Sequence, residues 1–239
     1  MEPDVLVLPD PEAVAEEAAQ RFSRWAVEAV NARGRFSAAL SGGSTPGALF
    51  RRLAKEPFRG EIPWDGVHLF WADERCLPPD HPGSNYRLAH EALIAHVPLP
   101  PENVHRLRGE WEAERAARAY AAELQDFFCG PRPRFDLVLL GLGSDGHTAS
   151  LFPGSPALEE REKLAAAVEA HYQDRSAYRV TLTLPVLNTA RHVLFLVTGR
   201  AKADIVQAVL AGADEGVPAR QVRPAAGHLT WLLDAAAAM

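Results

Sequence analysis

Four times this chain runs through a short apolar stretch and then breaks into glycines or charged residues: FSAAL before SGGST, VHLFWA before DER, LVLL before GLGSDGH, and HVLFLVT before GRAK. An unbroken apolar run marks a strand covered on both faces, as in a parallel sheet between helices. Such a sheet lines up the carboxyl ends of its strands on one edge, and ligands bind there where the strand order reverses. Four polar segments distant in sequence are therefore predicted to meet.

The remaining pattern agrees with that architecture. Residues 5–8 read as a strand, and Asp10 followed by Pro11 is a cap and first-turn signal for an amphipathic helix to about residue 32, closed by Gly34. Strands are predicted at 36–40, 67–72, 137–140 and 192–198, weaker ones at 164–168 and 180–184, and a last one at 229–233 followed by Asp234 as a cap for the Ala-rich tail. Helices are predicted at 45–53, with Thr45-Pro46 as cap and first turn, and at 86–95, 111–128 and 201–210. The segment DERCLPPDHPGSN after the second strand reads as a loop, and 210–228 as a connection. Alternating strands and helices give a three-layer, doubly wound α/β/α sandwich with a mainly parallel sheet. Without a linker or repeat, residues 1–239 read as one domain.

Composition narrows the function classes. A formal charge of -6 and a pI near 5.9 exclude a protein that coats nucleic acid. No apolar run has the length of a membrane span, and the N-terminus carries no secretory pattern, so a cytoplasmic protein is expected. Cys76 and Cys129 form neither a disulfide framework nor a zinc motif and read as ordinary thiols. Only Lys55, Lys163 and Lys202 are lysines among 25 basic residues, which draws attention to Lys202 in a site-like segment.

Each polar segment has its own chemistry. Gly42, Gly43, Ser44 and Thr45 place small residues at a helix start, where backbone N–H groups favour an anion such as a phosphate monoester, although no Walker lysine follows. GLGSDG at 141–146 matches the dinucleotide pattern formally, but Asp145 would put negative charge in the pyrophosphate cradle and Pro153 would cut short its helix. Asp145 and His147 could belong to a metal site, yet no third ligand stands at suitable spacing. They also suit a general base near neutral pH with a carboxylate partner. Asp73-Glu74-Arg75, taken alone, reads as a surface ion-pair cluster. Arg179 and Lys202 are candidate phosphate ligands, and no serine fits a nucleophile elbow.

Together, LSGGSTP (40–46), FWADER (70–75), GSNY (83–86), GLGSDGHTASLFPG (141–154), RVTLTLPVLN (179–188) and VTGRAK (197–202) resemble the 6-phosphogluconolactonases, within the group that includes the glucosamine-6-phosphate deaminases. The resemblance implies hydrolysis of 6-phospho-D-glucono-1,5-lactone, a sugar-phosphate lactone of the oxidative pentose phosphate pathway, with no cofactor and no metal. It implies His147 as the base for water, with Asp145, Asp73 and Arg75 in the catalytic group. Gly42, Gly43, Ser44, Thr45, Arg75, Asn85, Arg179 and Lys202 match positions that handle the substrate and its phosphate. Whether Arg75 serves phosphate or oxyanion, and which acid orients His147, stay open at this point.

Two departures separate this chain from the deaminases. Their DGHIAFNEPG pattern is DGHTASLFPG here, so Phe152 replaces the acid that assists ring opening, and Arg75 stands where they favour tyrosine. A deaminase-like isomerase and a non-catalytic sugar-phosphate sensor are the competing expectations. A monomer is the expected assembly.

Overall fold

The computed structural model describes residues 3–130, 132–172, 175–212 and 216–239. Nine strands are found among them: β1 (Asp4–Leu8), β2 (Phe36–Leu40), β3 (Val67–Trp71), β4 (Asp73–Arg75), β5 (Leu137–Leu140), β6 (Ala165–Tyr172), β7 (Arg175–Leu182), β8 (His192–Val197) and β9 (His228–Asp234). The helices are α1 (Pro11–Arg33), α2 (Ser44–Leu53), α3 (Phe58–Glu61), α4 (Asn85–Ala92), α5 (Ala113–Phe128), α6 (Leu184–Leu187) and α7 (Ala203–Ala211). Positions 213–215 of the connection expected at 210–228 lie outside the described residues.

Six strands form one parallel sheet in the order β1-β9-β8-β5-β2-β3. Every residue of β2 and β5 is buried, as expected for central strands covered on both faces. From β2 the chain first steps outward to β3, then returns to β5 on the other side of β2. The strand order therefore reverses between β2 and β5, which places a crevice beyond their carboxyl ends.

Local chemistry explains α1. Asp10 accepts a hydrogen bond from Ala13 N at 2.8 Å, Pro11 fills the first turn, and Gly34 ends the helix at φ 73°. A cap of this kind contributes about 1 kcal/mol. Val14, Ala18, Phe22, Ala26 and Ala29 bury one face, and Phe22 meets Phe36 of β2 edge to face with ring centroids 5.1 Å apart.

The second sheet corrects the sequence reading. The weak strands at 164–168 and 180–184 extend instead over β6 and β7, which pair antiparallel as a hairpin outside the parallel sheet. DER, read as a loop, is strand β4, antiparallel to β7. Ala72 is the pivot: its N–H donates to Leu40 O of β2 at 2.7 Å, and its carbonyl accepts from Leu182 N of β7 at 2.7 Å. Tyr120 of α5 secures the strand just before that pivot, accepting from Trp71 N at 2.8 Å and donating to Trp71 O at 2.9 Å. The alternation that would announce β4 is too short to register over three residues.

Helix starts also shift, for local reasons. α2 begins at Ser44 with Gly43 as its cap residue, and no side chain caps it: Thr45 Oγ1 bonds Thr198 Oγ1 at 2.8 Å instead. α4 begins at Asn85 because Ser84 accepts from Arg87 N, and it stops at Ala92 before a separate turn at Ile94–His96. Glu112, accepting from the amides of Glu114 and Arg115, moves the start of α5 from 111 to Ala113. A short turn, Arg200–Lys202, precedes α7. Asp234 does accept from Ala237 N, but its carboxylate also holds the amide of Gly199 at 3.0 Å, fixing the loop that carries Lys202.

Candidate active site

The four polar segments converge at the switch point, around a cavity of about 220 Å³. Gly42 and Gly43 enter from the end of β2, Asp73 and Arg75 from β4, Asn85 from the start of α4, His147 from the loop after β5, Arg179 from β7, and Lys202 from the turn after β8. Ser44 and Thr45 do not line it; they begin α2 behind the glycines. Ser41, which opens the SGGST segment, also lines the cavity, and its hydroxyl donates to Leu139 O at 2.8 Å and so ties the ends of β2 and β5 together.

The loop after β5 is folded around one side chain. Asp145 Oδ1 accepts from the backbone N–H of His147 at 3.1 Å and meets its Nδ1 at 2.5 Å. Although burial acts to raise it, the amide, charge and ring N–H of His147 hold the Asp145 carboxyl below its ordinary range. In the neutral ring this carboxylate favours the tautomer with the N–H on Nδ1, which leaves the Nε2 lone pair to accept a proton. Gly143 makes room: a Cβ there would lie 2.1 Å from His147 Nδ1 and 2.5 Å from Asp145 Oδ1. Asp145 is the acid that contacts His147, although it does not itself line the cavity. Phe152 packs against the imidazole, with ring centroids 4.6 Å apart.

No helix follows GLGSDG, so the dinucleotide pattern has no dipole to offer. Among the described residues no group of three His, Cys, Asp or Glu side chains is arranged to hold a metal ion.

Asp73 and Glu74 are 4% and 2% exposed, which corrects their reading as a surface ion-pair cluster. Consecutive strand residues face opposite ways, and the two carboxylates do different work. Glu74 accepts from the amides of Arg75, Asn85 and Tyr86 and from the Ser84 hydroxyl, all within 3.0 Å. Burial raises its carboxyl and those four bonds oppose the rise. Asp73 instead faces the cavity, accepting from Ser150 Oγ at 2.6 Å and Asn85 Nδ2 at 3.3 Å, with Arg179 Nη1 3.7 Å away. Asn85 also fixes Gly42, where a Cβ would stand 1.9 Å from Asn85 Oδ1.

The positive side of the cavity is built across the β4–β7 ladder. Arg75 and Arg179 are register partners. Like charges directly opposite in a sheet repel, so this pairing calls for negative charge between or beyond them. Arg75 Nη1 donates to Gly83 O at 2.8 Å, while its Nε is buried without a hydrogen-bond partner. Lys202 lines the same cavity from the turn after β8. Cys76, beside Arg75, is pushed up to about 11 by burial and then by Glu74 and Glu112, so it is no thiolate nucleophile.

The sequence model of the family described as glucosamine-6-phosphate isomerases/6-phosphogluconolactonase matches residues 9–231. The chain belongs to this family. Within the family, a 6-phosphogluconolactonase of Synechocystis is 40% identical over 240 residues, covering 98% of this chain and 96% of that one. The human 6-phosphogluconolactonase is 42% identical over 229 residues, 95% of this chain and 87% of its own. The solved 6-phosphogluconolactonase of Trypanosoma brucei superposes with a TM-score of 0.89 at 32% identity, over 99% and 98% of the two chains. A monomeric glucosamine-6-phosphate deaminase superposes with a TM-score of 0.83 at 20% identity and shares the fold. The α/β/α sandwich expected from the strand pattern is thus the family's fold.

Among the described residues no helix is long and apolar enough to cross a membrane.

Proposed function

We infer that this chain hydrolyses 6-phospho-D-glucono-1,5-lactone to 6-phosphogluconate, with residues 1–239 acting as one lactonase unit. The observation that carries the reading is the pairing of Arg75 with Arg179 across the β4–β7 ladder, facing the cavity that holds His147 and Lys202. An imidazole base and a separate cluster of three cations suit a substrate with a reactive carbonyl at one end and a phosphate at the other.

His147 Nε2 takes a proton from water as the oxygen attacks the lactone carbonyl, and Asp145 stabilises the imidazolium that forms. The C1–ring oxygen bond then breaks, and the same proton passes to the departing ring oxygen. Arg75, Arg179 and Lys202 hold the phosphate, with the backbone of Gly42 and Gly43 closing the cavity beside it. Binding energy from that distant group positions the carbonyl against the base. Asp73, anchored by Ser150, keeps Arg179 in place.

Phe152 favours the lactonase over an isomerase, because a phenyl ring beside His147 supplies no second carboxylate for ring opening. Two cysteines outside any disulfide suit the cytosol. Base uptake in a pH-stat with freshly prepared lactone tests the reading against ammonia release from glucosamine 6-phosphate. Acid production with the lactone alone is the expected result. Ammonia release, or inactivity toward both, would overturn it.

A further inference from the structure

A second cavity, of about 350 Å³, lies at the opposite edge of the parallel sheet, where β5, β8 and β9 begin. A strand rises roughly 3.3 Å per residue, and β8 has six residues, so about 20 Å of sheet separates this cavity from His147. Three guanidiniums reach it from separate elements: Arg33 from the last residue of α1, Arg134 from the segment before β5, and Arg191 from the residue before β8.

Asp136 is the shared partner of Arg33 and Arg191. It is 6% exposed, and its oxygens are already engaged: Oδ1 takes Arg33 Nη2 at 2.7 Å and Arg191 Nε at 3.2 Å, while Oδ2 takes the amide and hydroxyl of Ser37. Arg134 makes no bond to that carboxylate and donates to Ala226 O at 3.0 Å. Among the described residues Glu28 is the only other acid on the wall, so three permanent cations face two carboxylates. Burial and the neighbouring charges of Arg134 and Arg33 pull the Arg191 guanidinium below its ordinary value, which expresses that crowding.

The far wall is a ladder of rings. Trp25 stacks on His192 with centroids 4.1 Å apart, and His192 stacks on His228 at 5.4 Å. His228, at the end of this ladder, is exposed.

We propose that this cavity is a second anion site, taking a small phosphate-bearing ligand between Arg33, Arg134 and Arg191, independent of the lactone site. A tetrahedral phosphate offers oxygens in several directions, which suits guanidiniums arriving from three elements, whereas a carboxylate presents two in one plane. Asp136 holds two of the arginines at fixed spacing, and the third is left to complete the ligand's shell.

The test is a titration of inorganic phosphate at constant ionic strength into the whole chain, followed by NMR at the Trp25 indole N–H and at the Gly42 and Gly143 amides. The expected result is a saturable shift at Trp25, about tenfold weaker or more in Arg134→Gln, as for loss of a hydrogen bond to a charged group. Lys202→Ala should weaken only the response at Gly42 and Gly143. A Trp25 signal that stays still, or drifts without saturating equally in wild type and Arg134→Gln, overturns the proposal, whatever the lactone site does. Unchanged lactone turnover in Arg134→Gln establishes that the variant is folded.

Discussion

Asp145 Oδ1 stands 2.5 Å from His147 Nδ1, and the two residues are separated by a single glycine. So short a loop lets one carboxylate hold both the backbone N–H and the ring of the same histidine. Asp145→Asn is therefore expected to lower kcat while leaving KM close to wild type, because Asp145 touches the base and does not line the cavity. The drop should be a substantial part of the roughly 10²–10⁴-fold that a positioned general base contributes. His147→Ala should lose that whole contribution. Steady-state kinetics of both variants check the assignment; a raised KM with unchanged kcat in Asp145→Asn would place the carboxylate in binding instead.

Gly143→Ala offers a sharper form of the same prediction. Its φ is not in the left-handed region, so the substitution acts through space and not through backbone strain. The new methyl would stand 2.1 Å from His147 Nδ1, and the imidazole has to move. Turnover should fall toward that of His147→Ala, with thermal stability much less affected. Near-normal turnover would mean that the pair tolerates displacement and that its geometry does not govern the rate.

How much of this site could be read from the chain alone depends on the range of each interaction. The meeting of SGGST, DER, GSDGH and GRAK follows from strand direction, which apolar runs reveal. His147 and Asp145 form a local pair, legible at two residues' spacing. The opposition of Arg75 and Arg179 is different, since it depends on the register of β7, a strand far downstream from β4 in the sequence. Three-residue β4 carries no periodic signal, and β7 was seen only at its buried end, where Val180 and Leu182 lie in the core while Tyr178 is exposed. Ser150, buried and bonded to Asp73 from 77 residues away, was illegible for the same reason.

Lys202→Ala is expected chiefly to raise KM. The lysine sits on a turn whose preceding Gly199 is held by Asp234, so the loop stays in place when the side chain is shortened. Loss of one charge-assisted contact to phosphate should cost about tenfold or more in KM. Asp234→Asn should produce a smaller rise, by loosening the loop. An unchanged KM in Lys202→Ala would remove the lysine from the phosphate cluster.

Acid sensitivity follows from two half-buried histidines outside the active site. Burial, and then the neighbouring His228, lowers His192 to about 4; burial, and then His105, lowers His68 to about 4. In the unfolded chain both take up protons near the ordinary value of about 6.5. Between those limits the unfolded state binds more protons, so stability is complete above pH 6.5 and declines as the pH falls toward 4. Urea unfolding at intervals across that window should show the midpoint dropping. His192→Phe preserves a ring against Trp25 and removes one titrating group, so the slope of stability against pH should lose up to one proton's worth. An identical slope in the variant would show that His192 is as readily protonated folded as unfolded, and that burial beside His228 does not keep it neutral.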